Sequence, residues 1–256
     1  MELTQEQKNV LQHIVTGIRN GTKKVYKLAG YAGTGKSILA SFLAKFFPNF
    51  CVAAYTGKAA NVLRQKGIEA NTIHSSIYAP VYEWGKLLGF DIKSRNELGY
   101  NGFIIDEGSM VPKEIHTDLM SYTYPIIYIG DHGQLEPIGT EFNLMKNPDY
   151  KLETIHRNAN DIAKFAERLR HGYRAASFPL SDRVFLKPEK NLTEADYLEV
   201  DQIICAYNKT RVEINKQIRE YKGYKGDVQI GERVICLKNN KHLGLFNGMQ
   251  GVVKNL

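Results

Sequence analysis

The residues best suited to chemistry begin with an octapeptide, GYAGTGKS, at positions 30–37. It fits the phosphate-binding pattern G-x-x-x-x-G-K-[ST] without a mismatch, between a predicted buried strand and a predicted helix. Its glycines let successive backbone N–H groups turn toward one point, and the helix adds the positive end of its dipole. Lys36 would then reach the β- and γ-phosphates, and the Ser37 hydroxyl would hold Mg²⁺. The pattern predicts a nucleoside triphosphate site rather than a glycine-rich turn without a ligand. The other loop residues expected at this site are Gly33, Thr34 and Gly35.

A second chemical segment is the pair Asp106 and Glu107, which ends an apolar strand. After a phosphate-binding loop, Asp106 would help to hold the Mg²⁺ ion, and Glu107 would orient or deprotonate the attacking water. An Asp-Glu pair is more commonly a solvated strand end, but the apolar strand before it favours the catalytic interpretation. Ligands gather at the carboxyl ends of parallel strands, and both segments follow such strands.

Two further candidates stand after other apolar strands. Gln134, in the segment GDHGQLEP at positions 130–137, would sense the γ-phosphate or position water, and an ordinary turn explains the same residues equally well. Arg157 is a candidate for stabilising transition-state charge, with a surface salt bridge as the alternative. His132 has no second His or Cys at metal-ligand spacing, so it is interpreted as a loop residue.

The elements that must position these residues alternate between short apolar runs and segments of helical periodicity. This alternation predicts an α/β fold in which helices wrap a parallel sheet. Thr4 is predicted to cap the first helix, with Gln7 three residues on. The predicted strands cover residues 25–28, 51–55, 102–105, 125–129 and 151–155, and the predicted helices cover 36–47, 59–65, 113–121 and 161–171.

Two stretches interrupt this alternation. Residues 79–94 alternate apolar and polar side chains around two glycines, which predicts an inserted β-hairpin. Residues 177–198 contain proline and are irregular, which is typical of a connector. A strand at 202–206, a helix at 210–221 and two strand-like runs at 232–237 and 248–253 follow. The predicted domains are therefore 1–176, with the hairpin inserted at about 79–95, a connector at 177–200, and a second domain at 201–256.

The composition sets weaker bounds. A net charge of +7 and a pI near 9.1 give mild support to a polyanionic partner. The three cysteines are far apart in apolar runs, which is typical of reduced core residues in an intracellular, cytoplasmic protein. No signal peptide and no apolar run of membrane-spanning length is recognised in the sequence, so no membrane partner is expected.

Taken together, these segments resemble the motifs of the superfamily 1 DNA helicases of the RecD and phage Dda type, which move 5′→3′ on single strands. LTQEQ at positions 3–7 is similar to the glutamine motif, which puts Gln7 on the adenine. The other matches follow in the family's order. They are GYAGTGKS (motif I), AYTGKAA at 54–60 (motif Ia), TIHS at 72–75, DEGSM at 106–110 (motif II), GDHGQLEP (motif III) and Arg157 at the arginine of motif IV.

The resemblance implies a RecA-like P-loop NTPase domain that uses ATP and Mg²⁺ to act as a DNA helicase. It also implies single-stranded DNA and single-strand/double-strand junctions as partners. By their positions in the motifs, four residues are expected to contact the single strand: Thr56, Lys58, Thr72 and His74. A solvated lysine is the alternative for Lys58, and helix capping is the alternative for His74. The hairpin resembles the wedge that splits the duplex.

Within that hairpin, Trp84 and Phe90, together with Leu87 and Leu88, are the candidates to stack on bases. Packing of these side chains onto the domain is the alternative.

The sequence departs from the family at three points. Tyr55 replaces the usual proline of motif Ia, and Gly108 stands where alanine or valine is common. The family's T-x-H-K-x-Q-G motif and its final arginine motif are not found, so residues 201–256 are interpreted as the start of a second RecA-like domain with a partial SH3-like barrel. A transition-state arginine raises the rate of phosphoryl transfer by about 10³–10⁵-fold. Because the final arginine motif is not found, this polypeptide is expected to bind ATP–Mg²⁺ but to hydrolyse it slowly by itself.

Three functions remain open at this point. The first is an ATP-dependent helicase or translocase, the second a non-motor ATP- and DNA-binding module, and the third an unrelated P-loop enzyme such as a small-molecule kinase. Motif Ia, the T-I-H segment and Gln134 argue against a kinase, which has no need of them. The first two hypotheses differ in whether the source reading frame continues past Leu256 into the remaining motifs.

Overall fold

The computed structural model describes residues 2–31, 33–133, 142–154, 161–177, 181, 183–238, 240, 243, 245 and 248–256. The chain divides into two compact units, Met1–Ala159 and Asn160–Leu256. No helix among these residues has both the length and the apolar character needed to cross a membrane.

The first unit is built on a six-stranded sheet. Its strands are β1 (Val25–Gly30), β2 (Phe50–Ala54), β3 (Asn71–Thr72), β6 (Gly102–Asp106), β7 (Ile126–Gly130) and β8 (Tyr150–Leu152). They lie in the order β3-β2-β6-β7-β1-β8, and every pairing is parallel. The predicted α/β fold with a parallel sheet is therefore confirmed. The central strands β6 and β7 are almost entirely buried, which explains why their sequences are continuous apolar runs.

Five helices cover the two faces of this sheet, because alternate side chains of each strand point to opposite sides. They are α1 (Gln5–Arg19), α2 (Lys36–Phe46), α3 (Gly57–Gln65), α4 (Ile73–Ile77) and α5 (Lys113–Ser121). One core cluster joins strand residues such as Leu28 and Ile104 to α1, α2 and α3. The other joins Phe103 and Ile105 to α4 and α5.

The predicted β-hairpin is present between α4 and β6. Its strands are β4 (Tyr78–Glu83) and β5 (Lys86–Ile92), which pair antiparallel with a bulge between Val81 and Tyr82. Trp84 and Gly85 form the two-residue turn, and both have positive φ (50° and 77°), as a type I′ turn requires. The reversal therefore occurs at Trp84-Gly85.

In its described residues, the second unit contains three α-helices and a short strand pair, joined by long irregular segments. The helices are α6 (Asp161–Arg170), α7 (Glu194–Leu198) and α8 (Asn208–Tyr221). The strands β9 (Arg233–Ile235) and β10 (Gln250–Val252) pair antiparallel, which confirms strands within the two predicted runs. The prediction of a strand at 202–206 is wrong, because these residues form no strand and Ile204 is 88% exposed. An apolar run becomes a strand only when a neighbouring strand pairs with it.

Candidate functional site

The loop between β1 and α2 has the backbone conformation that its glycines allow. Gly33 and Gly35 have φ values of +88° and +86°, in the left-handed region that favours glycine. Gly35 is the N-cap of α2, so the N-terminal N–H groups of this helix open onto the loop. The loop residue Thr34 is buried, and its hydroxyl donates a hydrogen bond of 2.9 Å to the Tyr31 carbonyl. This arrangement can bind phosphate through backbone N–H groups.

Lys36 lies over the same loop. Its Nζ donates hydrogen bonds to the carbonyl oxygens of Gly30 (2.6 Å) and Tyr31 (2.9 Å). The ammonium is thus held beside the phosphate-binding loop, where it can neutralise a bound anion. Ser37 is the next residue of α2, so its hydroxyl begins from the first turn of the helix.

Gln7 reaches the loop from the first turn of α1. Thr4 and Gln7 form the predicted capping box, in which the Thr4 N–H donates to Gln7 Oε1 at 3.0 Å. The same carboxamide donates from Nε2 to the Thr34 carbonyl at 3.0 Å, and Gln7 is only 2% exposed. The family resemblance assigns Gln7 to adenine, whereas this contact joins residues 27 positions apart and has no local signal in the sequence.

Asp106 and Glu107 lie at the carboxyl end of β6. Glu107 has a left-handed backbone with φ = 55°, and its N–H donates to Asp106 Oδ1 at 3.0 Å. Burial raises the pKa of the Asp106 carboxyl, while the Glu107 N–H and the positive charge of Lys36 act against that rise. The Asp106 carboxyl is half-buried, and its oxygens are ligands of the kind that hard cations prefer. The positive φ at Glu107 is a backbone cost of the kind that collects at functional sites.

The sheet order brings these two segments together. Strand β7 lies between β1, which carries the loop, and β6, which carries Asp106. After β7, Asp131 is 3% exposed and accepts a hydrogen bond of 2.8 Å from the Gly133 N–H. The His132 ring lies 4.4 Å from the Tyr31 ring, between centroids. Three loops therefore converge at one edge of the sheet. Gln134 and Arg157, the other two predicted catalytic residues, lie outside the described residues.

The candidate DNA-contacting threonines follow the next two strands at that edge. Thr56, after β2, is the N-cap of α3 and accepts from the Ala59 N–H at 3.2 Å. Thr72, at the end of β3, is the N-cap of α4 and accepts from the Ser75 N–H at 3.2 Å. Thr72 rather than His74 therefore caps α4. Both hydroxyls thus stand at helix N-termini, where some backbone N–H groups have no partner within the helix.

Lys58 and His74 are exposed in the first turns of these two helices. The His74 ring has Tyr55 and Tyr78 as neighbours, with ring centroids 6.1 Å and 5.6 Å away. Tyr55, which stands where the family has proline, therefore adds an aromatic side chain beside the predicted strand-binding residues. The three rings of Tyr55, His74 and Tyr78 extend from the sheet edge to the base of the hairpin, because Tyr78 begins β4.

The hairpin is exposed at its tip and anchored at its base. Trp84, in the turn, is 98% exposed, and Phe90, opposite Pro80 nearer the base, is 62% exposed, so neither ring is buried. At the base, the Tyr122 hydroxyl donates to the Lys93 carbonyl at 2.8 Å, and the Tyr78 hydroxyl donates to the Asp118 carboxylate. The hairpin can therefore present its aromatic side chains from a fixed base.

Comparisons with known proteins agree with this architecture. A family model described as an AAA domain matches residues 2–187. The uncharacterized protein R530 of Acanthamoeba polyphaga mimivirus is 29% identical, in a match that covers 60% of this chain and 39% of that protein. The chain thus spans about two fifths of the length of that curated relative.

Solved structures with the same fold include Pif1 proteins. Unliganded Pif1 from Bacteroides sp has a TM-score of 0.58 at 21% identity, and the match covers 100% of this chain and 70% of that chain. Bacteroides Pif1 bound to ssDNA has a TM-score of 0.60 at 20% identity, with the same coverage. Pif1 helicase from Candida albicans has a TM-score of 0.55 at 20% identity and covers 100% and 69% of the two chains. The chain belongs to the AAA-domain family, and it has the P-loop NTPase fold of the Pif1 helicase structures.

Proposed function

We propose that this chain is the ATPase part of an ATP-dependent DNA helicase or translocase that moves on single-stranded DNA. One observation carries the proposal. The phosphate-binding loop, the Asp106-Glu107 pair and the two capping threonines, Thr56 and Thr72, all follow strands of one sheet at its carboxyl edge. A nucleotide site and a row of phosphate-binding positions are thus attached to the same rigid element, so a change at one can be passed to the other.

ATP with Mg²⁺ fits the residues at this edge. The loop supplies backbone N–H groups and Lys36 for the phosphates, and Ser37 and Asp106 supply the hydroxyl and carboxylate oxygens that Mg²⁺ prefers. The position of Asp106 supports the assignment, because its strand β6 is separated from β1, which carries the loop, only by β7. When bound, Mg²⁺ would neutralise charge on the phosphate oxygens. Gly33, Thr34 and Gly35 would line the cradle.

Hydrolysis would then depend on groups of this chain around the γ-phosphate. Glu107 would orient the attacking water and accept its proton, and Lys36 would stabilise negative charge on the transferred group. Gln134 and Arg157 keep their predicted roles in sensing the γ-phosphate and in stabilising transition-state charge. The resemblance also implies an adenine contact for Gln7, and the nucleotide comparison in the next subsection decides between that contact and a role in holding the loop.

Single-stranded DNA is the proposed partner along the row from β2 to the hairpin. Thr56, Lys58, Thr72 and His74 would contact phosphates without reading sequence, through hydroxyls, N–H groups and positive charge. Such binding weakens with salt, in keeping with the net charge of +7.

The hairpin tip would meet the junction between single and double strands. Trp84 occupies a left-handed turn position that Asn or Gly fills at lower cost, and it exposes nearly its whole indole to solvent. A bulky residue at such a position is a candidate for a functional role. Trp84 and Phe90 would stack on the terminal base pair or on a displaced base.

The solved relatives support these partners. Structures of Pif1 include complexes with ADP-AlF4 and with ssDNA, and one describes DNA unwinding at forked dsDNA by two coordinating Pif1 helicases. Within the superfamily we favour 5′→3′ movement, as in the RecD and Dda type. We propose that such a motor serves DNA replication, repair or recombination in the cytoplasm.

Coupling between the two ligands tests the proposal, and it can be measured whether or not turnover is fast. The affinity for a labelled oligothymidine is measured by fluorescence anisotropy with and without a non-hydrolysable ATP analogue and Mg²⁺. The expected result is salt-dependent binding that changes by about fivefold or more with the nucleotide, within the usual range of coupling energies. Binding of either ligand without any effect on the other would favour a non-motor binder, and no affinity for DNA would overturn the proposal.

A further inference from the structure

The contact between Gln7 and the phosphate-binding loop has a consequence for nucleotide binding. We propose that Gln7 is a positioning residue, which holds the loop through the Thr34 carbonyl and thereby supports triphosphate binding whatever the base. This inference rests on the proposed nucleotide site. It gives Gln7 a role distinct from the adenine contact that the family resemblance implies.

The Gln7 side chain is committed to the protein at both ends of its carboxamide. Oε1 accepts from the Thr4 N–H and Nε2 donates to the Thr34 carbonyl, each at 3.0 Å. Recognition of adenine by a carboxamide uses the same two atoms, one as acceptor and one as donor. Gln7 and Thr34 are 2% and 1% exposed, so the hydrogen bond between them is shielded from water. Loss of a buried donor leaves the Thr34 carbonyl without this partner.

The fit between Gln7 and the loop is also steric. A Cβ at Gly35 would stand 2.2 Å from Gln7 Nε2, so the carboxamide fills the space that a side chain at position 35 would need. Gly35 is in turn the N-cap of α2. Gln7 therefore touches the loop where its N–H groups pass into the first turn of the helix, beside the position of a bound phosphate.

Helix α1 keeps Gln7 in this position. The Gln7 N–H donates back to Thr4 Oγ1 at 3.3 Å, which completes the capping box and fixes the first turn. Farther along α1, Val10, Leu11 and Ile14 are buried in the core cluster that also contains α2 residues. The loop geometry thus depends on α1 through one side chain. Because that side chain acts on the loop backbone, its loss should weaken every ligand that the loop binds through phosphate.

The test compares three Mg²⁺-dependent ligands: AMP-PNP, GMP-PNP and inorganic tripolyphosphate, which has no base. Calorimetric affinities are measured for the wild-type chain, Gln7→Ala and Gln7→Glu. In Gln7→Glu, the new carboxylate can still accept from the Thr4 N–H but cannot donate to the Thr34 carbonyl. Both variants should weaken all three ligands by about tenfold, which corresponds to one buried hydrogen bond, with the AMP-PNP to GMP-PNP ratio unchanged.

Gln5→Ala is the matched control, because Gln5 lies on the same helix turn and its side chain donates to Asn9 in an exposed position, at 2.8 Å. It should leave all three affinities unchanged. A loss confined to AMP-PNP in the Gln7 variants would establish an adenine contact and overturn the inference, as would unchanged affinity for tripolyphosphate. Should Gln7→Ala not fold, Gln7→Glu decides through the AMP-PNP to GMP-PNP ratio, because its added negative charge weakens all three ligands alike and leaves that ratio unaffected. A wild-type chain that binds none of the ligands would refute the nucleotide site itself and this inference with it.

Discussion

Met145 packs directly on the Cα of Gly130. A Cβ at position 130 would stand 2.8 Å from Met145 Cγ and 3.0 Å from its Sδ, and 3.0 Å from the backbone nitrogen of Ser109. The methyl group of the same methionine lies 3.1 Å from the position of a Cβ at Gly108. Met145 is fully buried, so one side chain joins the turn after Glu107 to the end of β7. Both glycines are needed for this close approach.

Alanine substitutions at these two glycines should differ in cost. At Gly130 the new methyl group meets both Met145 and the Ser109 backbone, and we expect Gly130→Ala to lower the free energy of unfolding by about 2–3 kcal/mol. At Gly108 the nearest atom is the flexible end of Met145, and about 1 kcal/mol is expected. Urea denaturation of both variants measures the difference. Equal costs would contradict the packing described here.

The half-buried carboxyl of Asp106 should lower the stability of the fold at neutral pH, although the proposed Mg²⁺ site needs its charge. Burial raises its folded-state pKa above the ordinary value of 3.8, so the protonated form stabilises the fold and this contribution is lost as the pH rises through the raised pKa. Asp106→Asn keeps an acceptor for the Glu107 N–H but carries no charge. It should be more stable than the wild type at about pH 7, and the advantage should vanish once the pH falls below the ordinary pKa of an aspartate.

The same variant should lose the effect of Mg²⁺ on nucleotide affinity, because the proposed metal ligand is gone. Denaturation across that range of acid to neutral pH, combined with nucleotide titration with and without Mg²⁺, checks both halves. A variant that is destabilised at neutral pH, or one that keeps full Mg²⁺ dependence, would contradict the assignment of Asp106.

Glu107 should act on turnover rather than on binding. Replacement by Gln keeps the shape and the left-handed backbone but removes the proton acceptor, so ATP hydrolysis should fall by about 10²–10⁴-fold while nucleotide affinity is kept. Single-turnover hydrolysis together with nucleotide titration separates the two effects. Glu114→Gln, an exposed change in the first turn of α5, is the control and should leave both unchanged. Equal loss of affinity and turnover would instead point to a structural role.

The turn residue Trp84 offers a test in which stability and function move in opposite directions. Trp84→Asn creates Asn-Gly, the preferred pair for a type I′ turn, so the fold should be equally or more stable. Loss of the indole should weaken binding to a forked DNA by about tenfold, the value of one base–aromatic contact. Anisotropy with forked and single-stranded oligonucleotides measures this. Phe46→Ala, which removes another exposed aromatic ring at the far end of α2, should have no effect.

A second prediction for the hairpin concerns Phe90 and the rate of DNA unwinding. In a complete motor, Phe90→Ala should depress unwinding more than ATP turnover, because the ring is 62% exposed on β5 and contributes little to the core. An equal fall in the two rates would indicate misfolding, and unchanged unwinding would remove Phe90 from the wedge.

Much of the fold follows from local patterns in the sequence. The sequence predicts five of the six strands of the sheet, because most of them are buried apolar runs bounded by loop residues. Strand β3, of two residues, and helix α4, of five, are too short to show a period. The hairpin was also predicted, although its reversal at Trp84 carries an aromatic residue where turn statistics favour Asn or Gly. The prediction of a strand at 202–206 is wrong because pairing with a partner strand is not a local property of the sequence.

The sequence predicts the parts of the candidate site whose chemical groups lie together in one motif. Examples are the loop before Lys36 and the two carboxylates at the end of β6. The site was not predictable where the function of a residue depends on a distant contact. The bond from Gln7 to Thr34, the packing of Met145 on two glycines and the pairing of Tyr31 with His132 all join residues that are far apart in sequence. Sequence patterns carry no signal for such contacts. The capping by Thr56 and Thr72 was visible only once the helices were defined.

The most direct test of the account is the Mg²⁺-dependent binding of a non-hydrolysable ATP analogue to the wild-type chain and to Lys36→Ala. Lys45→Ala, which removes an exposed lysine from the last turn of the same helix, is the matched control. We predict that the wild type and Lys45→Ala bind the analogue equally and only with Mg²⁺, and that Lys36→Ala binds more weakly by about tenfold or more. An intact fold without Mg²⁺-dependent affinity, or full affinity in Lys36→Ala, would contradict the nucleotide site on which the proposed function depends.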